Sequence, residues 1–100
     1  MMPLHRKLDR ILTTMLGVKF LMQDKNIEVA CRADRELLRD RFGSIDRTTD
    51  AVVFRRNRQD IEQIASDKYD AGKIEPHSDA TVVIRAEDFA SPLSRKLGGI

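Results

Sequence analysis

The sequence predicts an α+β fold: a small antiparallel sheet, made of a hairpin over residues 18–32 and a strand over 81–86, packed by a long helix over 50–71 and a short helix over 35–42. Three patterns support it. Apolar residues alternate with polar ones from Val18 to Arg32, as on a half-buried strand pair. Phe54, Ile61, Ile64, Ala65 and Tyr69 recur at helical spacing, and Thr81, Val82, Val83 and Ile84 form a β-branched run.

Each element has local reasons. Leu4, Leu8, Ile11, Leu12, Met15 and Leu16 fall at three- and four-residue intervals, so an N-terminal amphipathic helix over 3–16 is expected, with Pro3 in its first turn and Gly17 at its exit. Such a helix needs a surface to dock on, either its own sheet or a partner. Met15 also offers a second translation start. Next, Val18, Phe20 and Met22 alternate against Lys19, Leu21 and Gln23, and Ile27, Val29 and Cys31 against Glu28, Ala30 and Arg32, with Asp24 and Lys25 turning between the runs. Asp34 is placed to cap the short helix and Gly43 to close it. Thr49 or Asp50 is expected to cap the long helix, which Gly72 ends and Pro76 keeps from resuming. Ala86 to Phe89 reads as one helical turn or an edge extension, with Phe89 folding back. The organisation is therefore a helix over 1–17, one α+β domain over 18–90 and a flexible tail over 91–100.

Composition narrows the function classes. One hundred residues make one domain with a thin stability margin. No apolar run approaches a membrane span, and Thr13, Thr14 and Lys19 interrupt the apolar stretch that an export signal would need, so a cytoplasmic location is expected. Residues 1–19 are net +3 and the tail net +2, which leaves 20–90 at −3 against the total of +2. Basicity thus belongs to the ends, not the body. The exception is the segment from Arg32 to Arg58, where arginines outnumber acids. Cys31 is alone and sits in a strand, which suits a small buried hydrophobe better than a reactive thiol.

No residue pattern indicates an enzyme, a metal centre or a cofactor. His77, Ser78 and Asp79 are neighbours in a turn, where base, nucleophile and carboxylate do not line up as a triad. Glu75, His77 and Asp79 are a weak cation set, and Glu87 and Asp88, if on a strand, face opposite sides. The groups worth following are Asn57 and Arg58, which either tie the long helix to a loop or to Asp88 or hold an anion in Arg58's planar fork. Tyr69 is expected to lay its ring on the sheet with its hydroxyl at the rim, and Lys68 to snorkel beside it.

The segments RELLRDRFG (35–43), FRRNRQDIEQIASDKY (54–69) and TVVIRAEDF (81–89) resemble, in that order, a family of small bacterial proteins classed as domain of unknown function 1488. The positions that carry the likeness are Phe54, Asn57, Arg58, Ile61, Ala65, Lys68, Tyr69, Ala86, Asp88 and Phe89, within residues 18–89. The resemblance implies a compact α+β domain with helices against a small antiparallel sheet, and no biochemical activity. It also implies that the N-terminal segment is longer than is usual in the family.

Two readings of function follow. The first is a structural or interaction protein, a homodimer formed through a sheet edge or the N-terminal helix, because the leucines of that segment require a partner surface. The second is a nucleic-acid-binding or regulatory domain using Arg32, Arg35, Arg39, Arg55, Arg56 and Arg58 to neutralise phosphates. Acids interleaved with the arginines, such as Glu36 and Asp40, favour local neutralisation and therefore the first reading.

Overall fold

Residues 4–89 are described by the computed structural model; the expectations for Pro3 and for the tail over 91–100 fall outside them. The order of elements is β1 (His5–Thr14), β2 (Gly17–Asp24), β3 (Ile27–Asp34), α1 (Arg35–Phe42), α2 (Arg47–Arg56), α3 (Arg58–Asp70) and β4 (Val82–Ile84). The four strands form one sheet in sequence order. β1, β2 and β3 are antiparallel neighbours, while β4 runs parallel to β3. The expected all-antiparallel sheet is therefore corrected to a mixed one. The reason is the connection: three helices carry the chain back to the starting end of the sheet before β4 begins, which is the crossover a parallel pair needs.

The expected N-terminal helix is a strand. Its misleading period has a physical source in the register of β1 on β2, which runs Arg6↔Met22 and then Ile11↔Phe20, so residues 7–10 together face Leu21 alone. This four-against-one irregularity breaks the two-residue alternation and imitates helical spacing. Leu4 and Ile11 reach the core, whereas Leu8, Leu12, Met15 and Leu16 stay exposed. Pairing with the open edge of β2 outweighs a helical stripe that no surface was available to bury.

The turn into β2 explains Gly17, which does not end a helix. Its φ is +144°, and a Cβ there would lie 2.0 Å from the carbonyl oxygen of Ala33. Only glycine lets β2 start this close to β3. The same corner is held by the Arg35 amide donating to Leu16 O at 2.9 Å.

The hairpin and the short helix follow the sequence closely. Val18, Phe20 and Met22 on β2, with Val29, Cys31 and Ala33 on β3, face the core, although Ile27 at the hairpin end is exposed. Gly43 closes α1 in the left-handed conformation at φ 76°, while Asp34 stands at the N-cap without making a cap bond. The long helix does not run unbroken. It starts three residues early, at Arg47, because Asp46 and Thr49 form a capping box: the Thr49 amide donates to Asp46 Oδ1 and the Asp46 amide to Thr49 Oγ1, both at 2.9 Å. Asp50, one of the expected caps, is instead fully buried, accepting from Ser44 Oγ. The helix is then interrupted at Asn57, whose side-chain amide donates back to Val53 O at 2.8 Å and whose backbone leaves helical values (φ −113°, ψ 16°). Phe54, Ile61 and Ala65 nevertheless point into the core on both sides of the break.

Beyond α3, Gly72 turns the chain at φ 76°. β4 is shorter than expected, and residues 86–89 form the helical turn. Phe89 does fold back, meeting Phe42 edge-to-face at 5.4 Å. Two depressed carboxyl groups report on this scaffold: the Thr49 amide holds Asp46 below the ordinary range, and the Arg85 guanidinium does the same for Glu75.

Replacing Gly17 by alanine is expected to destabilise the domain by about 3 kcal/mol or more, read by denaturant titration, because both the φ and the Ala33 carbonyl oppose a side chain. A carboxyl whose folded pKa is depressed stabilises above its unfolded value and loses that contribution as pH falls through the folded one. Melting temperature should therefore drop below about pH 4, and Glu75→Gln should flatten that drop.

Candidate functional site

Arg58 and Glu62 sit one helical turn apart at the start of α3, and both are buried, at 5% exposure each. Their side chains meet across 2.9 Å between Arg58 Nε and Glu62 Oε2. The rest of the Arg58 fork reaches into the bulge of β1. Nη1 donates to Asp9 O at 2.6 Å and Nη2 to Leu8 O at 2.7 Å. These carbonyls belong to the stretch that lacks one-to-one partners on β2, so the guanidinium supplies donors where the strand ladder does not. The cation also lies over Phe54 and Phe20, with 5.5 and 6.0 Å to the ring centroids. Glu62 takes a second arginine, Arg6 of β1, through Nε at 2.8 Å and Nη2 at 3.2 Å. Contact with Glu62, chiefly, raises the pKa of Arg6.

A shallow cleft of about 520 Å³ opens beside this triad, lined by Arg6, Asp9, Arg55, Arg56, Arg58 and Gln59. On the other face of the sheet lies an apolar groove of about 420 Å³, lined by Leu8, Arg10, Ile11, Leu12, Lys19, Phe20, Leu21 and Ala30. The bulge creates both, because residues 7–10 leave the sheet's regular path and send Leu8 to one side and Asp9 to the other.

The residues singled out by sequence divide between these features and the scaffold. Arg58 does tie its helix to another element, but the element is β1 and not a loop or Asp88. Asn57 serves the helix break. Arg55 joins Arg58 in the cleft. Arg35 points at buried Asp50, 3.5 Å from Nε to Oδ2, while Arg39 is exposed on α1 and outside the cleft. Lys68 donates to Val83 O at 2.7 Å and to Asp88 Oδ2 at 2.9 Å, and Asp88 in turn accepts the Arg85 amide at 2.7 Å. These two residues lock α3 to β4 and cap the last turn. Tyr69 packs against the core and donates its hydroxyl to Asp24 at 3.0 Å, which raises its pKa.

Other motifs are absorbed by structure. Asp79 pairs with Arg32, and Glu75 grips Arg85 through bonds of 2.5 and 2.9 Å, so neither carboxylate is free for a cation. His77 is exposed, and among the described residues no group of His, Cys, Asp or Glu is arranged to hold a metal. Cys31 is fully buried, and burial pushes its thiol up to about 12. Arg6 and Asp9 escaped sequence reasoning. Glu62 stands four residues from Arg58, a spacing that reads as a solvated pair on a wet helical face until β1 is known to lie over it.

A family model described as protein of unknown function (DUF1488) matches residues 7–81. The match takes in most of β1, eleven residues before the start of the motif resemblance at 18. No curated protein and no solved structure matches the chain.

Arg58→Lys should destabilise the domain by about 3 kcal/mol in a denaturant titration, because an ammonium cannot serve Glu62, Leu8 O and Asp9 O at once. A variant as stable as the parent would contradict the role given to the fork.

Proposed function

We propose that this chain, which belongs to the DUF1488 family of proteins of unknown function, is a small protein-interaction module that pairs with a second copy of itself through β1. The observation that carries this reading is the exposure of four large apolar residues along one edge strand and its turn: Leu8 (40%), Leu12 (61%), Met15 (72%) and Leu16 (53%). Solvated surfaces do not ordinarily gather such residues along a strand that also presents unpaired backbone groups.

A second copy suits the site for a geometric reason. Two identical edge strands brought together antiparallel about a two-fold axis match donors to acceptors, and the same patch serves both partners. The bulge restricts that pairing. Residues 7–10 are irregular and three of the four are charged, so only the regular end of β1, residues 11–14, is available to pair. In that arrangement the apolar grooves of the two sheets become neighbours, and Leu12 and Leu8 gain cover. The bulge thus acts against open-ended aggregation while leaving one register for a dimer. No described helix is long and apolar enough to cross a membrane.

The nucleic-acid reading has less behind it. Arg32, Arg35 and Arg58 face Asp79, Asp50 and Glu62, so half of the arginines it relied on are already neutralised. Among the described residues the strands show no row of exposed aromatic rings on which bases would stack. The module reading also assigns no catalytic step to the chain.

Sedimentation over a range of concentrations tests the pairing. The parent chain is expected to form dimers at high micromolar concentration, and Leu12→Lys, a change at an exposed position, to remain folded and monomeric. A parent that stays monomeric throughout, or a Leu12→Lys protein that dimerises as well as the parent, would overturn it.

A further inference from the structure

The cleft between β1 and the α2–α3 junction carries more positive charge than the scaffold uses. Four arginines line it, Arg6 from β1 and Arg55, Arg56 and Arg58 from the helices. Glu62 sits beneath them and answers Arg6 and Arg58, and Asp9 at the rim answers Arg6 at 3.2 Å. Two carboxylates against four guanidinium groups leave the cleft with a surplus of two positive charges. Arg55 and Arg56 make no ion pair among the described residues, and Gln59 adds an amide to the lining.

We infer that this cleft binds the phosphoryl dianion of a small molecule, either inorganic phosphate or a terminal phosphate ester. The charge surplus matches a dianion. Arginine is also the side chain whose paired N–H groups fit phosphate oxygens two at a time. Preorganisation supports the same conclusion. Arg58 is fixed by its three bonds and Arg6 by Glu62, so two of the four cations are already ordered before an anion arrives. Each of these forks has five donor hydrogens and uses three of its nitrogens internally, which leaves two hydrogens apiece for a ligand.

Asp9 gives the site an internal competitor. Its side chain is 89% exposed and its carboxylate rests on Arg6 Nη1, where a ligand oxygen would also be drawn. Neutralising Asp9 therefore strengthens phosphate binding, whereas neutralising most surface acids would change little. That sign is specific to this arrangement. A phosphodiester carries one negative charge and two non-bridging oxygens, against two charges and three such oxygens on a terminal phosphate, so a nucleic-acid backbone matches the surplus of two less well.

The test is titration of the full chain with inorganic phosphate at low salt, followed by amide and arginine Nε–H resonances. Expected are saturable shifts confined to Arg6, Asp9 and residues 55–59. Arg55→Ala with Arg56→Ala should weaken binding about tenfold or more, and Asp9→Asn should tighten it by about threefold. An Arg39→Ala, Arg41→Ala protein carries the same charge change away from the cleft and should bind like the parent. The inference is overturned if phosphate produces no saturable shift, if the control variant loses as much affinity as the Arg55/Arg56 variant, or if Asp9→Asn does not tighten binding. An oligonucleotide without terminal phosphate that shifts the same resonances more tightly than phosphate would replace it with the nucleic-acid reading. All positions varied are exposed, so folding is preserved in each arm.

Discussion

A guanidinium buried against the underside of an irregular strand is the constraint on which this fold depends. The bulge of β1 turns two carbonyls, those of Leu8 and Asp9, away from β2, and Arg58 is the donor that reaches both. Unpaired backbone carbonyls at a sheet surface cost stability, and an unpaired buried cation costs more, so each defect is tolerable only because of the other. Glu62 completes the arrangement by neutralising Arg58 and holding Arg6 on the same strand. The triad therefore fixes where β1 lies on the helices, beyond what the apolar contacts of Leu4 and Ile11 would specify.

The consequences spread outward from that joint. Because residues 7–10 are held out of register, Leu8 joins Leu12 on the open face and Asp9 joins the arginine cleft. The exposed apolar edge and the arginine-lined cleft are thus two products of one insertion. The opposite side of the sheet is secured differently, by Lys68 linking α3 to β4 through Val83 O and Asp88, and by Arg85 gripping Glu75. There the strand is short and parallel, and side-chain ties replace the ladder bonds it lacks.

Much of this was legible from residues alone, and the failures have a common cause. The β2–β3 hairpin showed itself because its alternation is uninterrupted, and α1 because Asp34 and Gly43 bracket eight residues with Leu37 and Leu38 on one side. The inward face of the 54–69 segment was also readable, since Phe54, Ile61 and Ala65 keep their spacing across the break. What could not be read were features decided by distant contacts. The bulge made a strand look helical. Asn57 is a tolerable helical residue whose side chain here turns back on its own backbone. The direction of β4 depends on where three helices deliver the chain. In the candidate site, Arg58 was noticed but its partners were not, because Leu8 and Asp9 lie about fifty positions away and were assigned to a helix.

Amide hydrogen exchange on the parent and on Arg58→Lys, compared residue by residue, addresses the joint most directly. If Arg58 anchors the bulge, the variant loses protection first along β1, at Leu12 and Thr14, while the β2–β3 amides of Phe20, Met22 and Cys31 keep theirs relative to the new global stability. Protection that falls uniformly over the sheet, or that stays intact on β1, would show that the strand is held by its ladder and its apolar contacts and not by the arginine.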